Sequence, residues 1–315
     1  MRTPSLYLYL ALLWLTLAGS ACTSNPHEPV LEEASKGVEL LLLPSRSAGD
    51  NDNLPQEYAL LNLSLLLTEP GDDRFVQRFV HTSFSGAGGD ASPACKLVNL
   101  PLDEALQRTY DLYVVANFDN TDALNRLQTL SDLRDLTTPK LLPNNRLSTE
   151  RGLPMYGELP GADLSTAGAQ PLTVSLQRIC AKVRVTLTFT DPHWVGTDNR
   201  FSLNDAAPFA YFMPRQEWTP QQMGTNLVNY LYLAMTQVDS QTFTGTAYVY
   251  ESPVQPALEL YTILNNRERR FVARDHFPLP VRNRLYDILL EVLPPLTRTE
   301  DGASPFRLVC HQTEW

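Results

Sequence analysis

The sequence predicts an all-β chain of two β-sandwich domains in tandem, with one or two short helices. Two observations carry that reading. From Ile179 the apolar residues alternate strictly as Ile179, Ala181, Val183, Val185, Leu187 and Phe189, with Cys180, Lys182, Arg184, Thr186, Thr188 and Thr190 between them. Such a period of two describes a long strand with one buried and one wet face. The 315 residues also include 24 prolines and 13 tyrosines, a composition that favours turns and strands over long helices. Upstream, Val174 and Leu176 lie on the opposite parity, so the pattern slips phase near Arg178. A slip of one residue sends every side chain to the other face, so a bulge or a domain crossing is expected there.

Taken in order, residues 1–21 read as an export signal. Arg2 is followed by an apolar run from Leu6 to Ala18, and Gly19-Ser20-Ala21 precedes Cys22. The run is too short, and wrongly flanked, to remain as a membrane span. A lipoprotein box usually carries leucine three residues before its cysteine, where this chain has Gly19. Lipoprotein processing and ordinary signal cleavage both cut before Cys22, and only the first acylates it. Residues 22–46 then hold a polar tether and a first strand, Gly37 to Pro44 (GVELLLLP), in which Val38, Leu40 and Leu42 share a parity. The polar loop SRSAGDNDNLP carries Arg46 and Ser47.

A second strand places Leu61, Leu63, Leu65 and Leu67 on one parity, and Pro70-Gly71-Asp72 turns it into Phe75–His81. The glycine-rich Ser85–Pro93 lacks the lysine and the strand–loop–helix context of a phosphate-binding loop and reads as a turn. After the strand Tyr110–Asn117, leucines 124, 127, 130 and 133 predict one amphipathic helix over Thr121–Asp135, with Thr121 as its N-cap. The second half is mostly strand signal, at Ala247–Glu251, Leu258–Leu264, Leu285–Val292 and Phe306–Trp315. No internal repeat stands out in the residues themselves. The domains expected are 47–178 and 179–315.

The formal net charge of −10 is spread along the chain, which argues against nucleic acid and anionic membrane surfaces as partners. Nucleophile-elbow, zincin, C-x-x-C and P-loop motifs are missing from the sequence. The five histidines stand at 27, 81, 193, 276 and 311, too far apart for a local metal cluster. Asp132 and Asp135 suit a solvated helix face better than an acid/base pair. The chain therefore reads as non-enzymatic, with no cofactor. Besides Cys22 it has Cys95, Cys180 and Cys310, which permit at most one internal disulfide. Cys180 lies on the wet parity of its strand and is expected to be reachable.

The stretch with a mechanism is the first strand and its loop. One reading is an ordinary first strand followed by an incidental arginine. The other is a removable strand: a cut between Arg46 and Ser47 would take away Val38, Leu40 and Leu42. It would expose a groove floored by Leu61, Leu63 and Leu65, beside an unpaired sheet edge that another subunit's strand could fill.

The chain resembles the fimbrillins, the pilins of Bacteroidales major and minor fimbriae. The resemblance rests on the lipoprotein signal and the strand with its arginine loop before YALLNLSLLL. It continues through YDLYVVANF with its leucine helix, LPMYGE, LQRICAKVRVTLTF, AYVYES and FPLPVRNRLYDILLEV. These run in family order from about residue 22 onward, and the R-x-x-A-K and R-N-x-x-Y-D strands are the most specific. The resemblance implies two transthyretin-like sandwiches and export as a lipoprotein, acylated at Cys22, to the outer membrane and cell surface. It also implies cleavage after Arg46 and assembly with other fimbrial subunits by donor-strand exchange. Stalk pilins of the family continue into a further donor strand, whereas this sequence stops at Trp315. That departure points to a tip or accessory subunit, with a host or bacterial surface ligand as a further partner. The alternatives are a membrane-held fimbrial anchor and a surface-binding lipoprotein that does not polymerise.

Overall fold

The computed structural model describes residues 37–44, 54–81, 96–101, 106–143, 145–165, 171–215, 217–223, 227–273, 277–293 and 306–315. The architecture is all-β, built as two sandwiches. The first contains β1 (Gly37–Pro44), β2 (Leu63–Thr68), β3 (Phe75–His81), β4 (Lys96–Pro101), β5 (Thr109–Ala116), β6 (Met155–Asp163) and β7 (Leu172–Arg178). They form one curled sheet in the order β3-β2-β5-β6-β7-β1-β4. The curl comes at a single corner, where β6 and β7 exchange only the pairs Met155–Arg178 and Tyr156–Gln177. Gly157 adjoins that corner, and a Cβ placed on it would lie 2.5 Å from the Ser175 carbonyl oxygen. The bend brings β7-β1-β4 over β3-β2-β5-β6, and the leucine- and valine-rich inner faces of the two layers bury one another.

At Ile179 the chain leaves this sheet. β7 ends at Arg178, and β8 (Cys180–Phe189) starts the second sandwich. One layer there is β10 (Val228–Ala234), β9 (Thr197–Ala206), β13 (Ala257–Leu264) and β14 (Arg267–Ala273), in that order. The other is β11 (Thr236–Gln237), β12 (Thr242–Tyr250), β8, β15 (Arg284–Val292) and β16 (Phe306–Glu314). The strand order repeats that of the first half. β3-β2-β5-β6 corresponds to β10-β9-β13-β14, and β4-β1-β7 to β12-β8-β15. Leaving aside the two-residue β11, the first strand of each sandwich runs parallel to the seventh, as β1 does to β7 and β8 to β15.

Three expectations need correction. The leucine segment is two helices, Thr121–Arg126 and Leu130–Asp135, because Leu127 leaves helical geometry and Thr129 starts a new helix with a capping box to Asp132. The break is fixed from outside: the Phe75 N–H donates to Gln128 O and the Leu130 N–H to Asp73 O. Asn120, rather than Thr121, caps the first helix, accepting from the Ala123 N–H. Cys180 is fully buried, not reachable, and Lys182 beside it is buried too. The supposed wet face at the start of β8 is covered by Trp315, Tyr250 and Leu285.

The helices pack on the outer face of β2 and β5, where Leu66, Tyr113 and Val115 meet Leu124, Leu127, Leu130 and Leu133. Both faces of β2 are therefore apolar, which is why its sequence is a near-continuous leucine run.

Candidate functional site

β1 is the middle strand of its layer. It pairs in parallel with β7 from Leu40–Leu172 to Pro44–Leu176, and antiparallel with β4 from Gly37–Pro101 to Leu42–Lys96. It makes no ladder with β2, the strand that follows it, so its place in the sheet is independent of the connection through residues 45–62.

Leu40 and Leu42 are completely buried in the first core. They share it with Leu63 and Leu65 of β2 and with Val174 and Leu176 of β7. The burial of those two leucines contributes about 3–6 kcal/mol, a large part of the roughly 5–15 kcal/mol that separates a folded domain from its unfolded chain. A first sandwich with an empty β1 slot would therefore lie close to unfolding. Leu61 stands apart from Leu63 and Leu65. It is half-buried, precedes β2, and donates its N–H to Asn117 Oδ1 at 2.8 Å. Val38 pairs through its backbone with Leu100. Cys22, Arg46, Ser47 and Cys95 lie outside the described residues, as does the export signal 1–21.

The segment after the loop is held firmly by a cluster of which the sequence marked out only one part. Pro55–Tyr58 forms one turn of 3-10 helix and carries Glu57 into the contact between the sandwiches. There the Glu57 carboxylate meets the Lys182 ammonium at 3.0 Å and accepts from Tyr248 OH at 2.6 Å and Trp315 Nε1 at 3.3 Å. The Arg178 guanidinium lies between two rings, 4.6 Å from the centroid of Tyr58 and 4.2 Å from that of Trp315. Its Nε donates to Glu57 O at 3.0 Å. Burial lowers the pKa of Arg178 from its ordinary value and, with the Glu57 carboxylate as hydrogen-bond partner, raises that of Tyr248. A few residues on, Asn117 Nδ2 donates to Ala59 O and Leu153 O at 2.8 and 2.7 Å. The chain is thus pinned from Glu57 to Leu61. Arg178 and Lys182 belong to the R-x-x-A-K stretch, whose spacing marked it out; Glu57 and Trp315 left no pattern to read.

The architecture matches solved structures across nearly their whole length. A candidate cell adhesion protein of Parabacteroides distasonis aligns with a TM-score of 0.58 over 89% of this chain and 97% of its own, at 12% identity. A candidate cell adhesion protein of Bacteroides eggerthii gives 0.55 over 89% and 96%, at 15% identity. A fimbrial assembly protein of P. distasonis gives 0.53 over 88% and 98%, at 13% identity. The chain shares their fold. No family model matches the sequence, and no curated protein is significantly similar to it.

Asp132, weighed above as a candidate acid, spends its carboxylate on the N–H groups of Gln128 and Thr129. Asp135 pairs with Arg215. Among the described residues no three His, Cys, Asp or Glu side chains converge as a metal site.

Proposed function

We propose that this chain is a non-enzymatic fimbrial subunit, exported as a lipoprotein acylated at Cys22 and displayed at the cell surface. Cleavage between Arg46 and Ser47 would release residues 22–46, and a neighbouring subunit's strand would then occupy the place of β1. The observation that carries the reading is the placement of β1. Its two partners, β4 and β7, are both remote from it in sequence, so excision breaks no other connection and leaves one strand-shaped slot lined by Leu63, Leu65, Val174 and Leu176. A donated strand would gain main-chain ladders on both sides and pockets for alternate side chains. The shared fold with a fimbrial assembly protein and with candidate adhesion proteins of related bacteria supports the same reading.

The position proposed is tip or accessory. β16 lies outside the seven-strand pattern common to both sandwiches, yet it is engaged with β15 along nine residue pairs and followed by the buried Trp315. It is committed at home rather than held ready for donation.

N-terminal sequencing of the protein taken from the native cell surface tests the proposal. A start at Ser47 is expected. A start at acylated Cys22 with Arg46 intact would overturn the polymerising subunit and favour an anchor or a non-polymerising surface lipoprotein.

A further inference from the structure

The outer face of the β10-β9-β13-β14 layer is broken by two β-bulges that open onto one spot. In β9, Arg200 pairs with Tyr261 and Thr197 with Ile263, so two residues oppose one. In β10, Tyr230 pairs with Leu203 and Leu233 with Phe201, which does the same. Each bulge holds a left-handed residue, Asp198 at φ 51° and Tyr232 at φ 52°. Aspartate tolerates that conformation, whereas for a bulky aromatic it is strained. Bulges re-aim side chains, and these two aim theirs at a shared cleft of about 210 Å³ bordered by Asp198, Arg200, Tyr232, Tyr261, Ile263 and Glu268.

The cleft has a definite chemistry. The Tyr232 and Tyr261 rings stand 5.0 Å apart at 55°, and Tyr232 remains 52% exposed. Arg200 is held by both oxygens of Asp198 at 2.7 and 2.6 Å. Beneath Tyr261, the buried Glu259 carboxylate takes hydrogen bonds from Tyr261 OH and from Arg270 at 2.5 and 3.0 Å. Each guanidinium is already matched by a carboxylate, and Glu268 adds a further negative charge, so an anionic ligand finds no free positive charge here. The space is smaller than the roughly 300–1,000 Å³ of pockets for drug-sized molecules. What suits it is a single neutral ring with one apolar C–H face and an edge of hydroxyl groups. The face would lie on a tyrosine, and the hydroxyls would donate to Asp198 and Glu268 and accept from Arg200.

We propose that this bulge cleft binds a neutral pyranose unit of a glycan. The site lies on the second sandwich and does not depend on removal of β1.

The test titrates the intact chain with methyl α-mannopyranoside, methyl β-galactopyranoside and methyl β-glucopyranoside, read by saturation-transfer NMR on the sugar protons. Transfer to at least one sugar is expected. Tyr232→Gly relieves the left-handed strain while deleting the ring, and Tyr232→Asn is a second residue tolerant of that conformation. Both variants should keep or raise the thermal midpoint and weaken binding about tenfold or more, the scale of one lost aromatic face contact. No transfer to any of the three sugars, or equal transfer in Tyr232→Gly, would overturn the proposal. A fall in the midpoint of both variants with sugar binding unchanged would do the same, and would show the tyrosine pair to be cross-strand packing alone.

Discussion

The Glu57 carboxylate and the Lys182 ammonium meet at 3.0 Å where neither has appreciable contact with water, their side chains being 0% and 2% exposed. One comes from the turn before β2 and the other from the first strand of the second sandwich. Removing one member of such a pair strands the other charge in a dry site. Glu57→Gln should therefore cost about 3–5 kcal/mol in denaturant unfolding. Adding Lys182→Met to that variant should recover much of the loss. If Glu57→Gln unfolds no earlier than the parent chain, the pair does not hold the sandwiches together.

Gly157 makes the corner of the first sandwich possible. An added methyl would press on the Ser175 carbonyl at 2.5 Å and on Leu176 Cδ2 at 2.8 Å. Gly157→Ala should lower stability by about 1–3 kcal/mol, the usual cost of overpacking. Amide hydrogen exchange locates the damage: protection should fall in β7 and β1 and hold in β8 and β15. Uniform loss across both sandwiches would contradict the assignment.

If β1 can be exchanged, the chain trimmed after Arg46 should accept it back. A synthetic peptide of residues 37–44 should raise the thermal midpoint of the trimmed chain. The same peptide with alanine at the positions of Leu40 and Leu42 should bind about a thousandfold more weakly, since each buried leucine cut to alanine loses about 2 kcal/mol or more. Equal binding by the two peptides would mean that the slot does not read those side chains.

Burial pushes the Cys180 thiol up to about 12 from its ordinary 9.0. The unfolded chain therefore releases this proton near pH 9, while the folded chain keeps it until about pH 12. Within that window the native state binds more protons, so stability is complete below the window and falls as pH rises through it, by up to about 1.4 kcal/mol per pH unit. Burial raises Tyr248 and Tyr250 in the same sense, which adds to the loss at higher pH. Denaturant midpoints measured from pH 8 upward should decline, and less so in Cys180→Ala. At neutral pH, Cys180 should resist maleimide until the chain is unfolded.

Much of this architecture is legible from alternation alone. The long strand from Cys180 to Phe189 and the leucine parity of β2 both follow from a period of two, because a half-buried strand has no other way to satisfy its faces. Alternation cannot say whether the polar face meets water or another domain. For that reason Cys180 and Lys182 read as exposed although Trp315, Tyr248 and Glu57 cover them. The leucine helix fails for a related reason. Its period survives intact, but Asp73 and Phe75 interrupt it through contacts from elsewhere in the sequence, and Thr129 caps a new helix at the break. The cleft around Tyr232 is hidden for another reason: its bulge does shift the buried positions from Tyr230 to Leu233, but Leu231 and Tyr232 between them are themselves apolar and mask the slip. The repeated strand order escapes notice too, because two sandwiches can share a topology without sharing a single motif.

That repetition has a consequence for how such molecules would join. β8 holds in the second sandwich the place that β1 holds in the first, but β8 is continuous with β7 through Ile179, and no cut could free it without severing the molecule. On the proposed function, one half would carry a plug and the other a permanent seal. Each subunit would offer its neighbours a single socket, so a filament built this way could lengthen from that end but never fork.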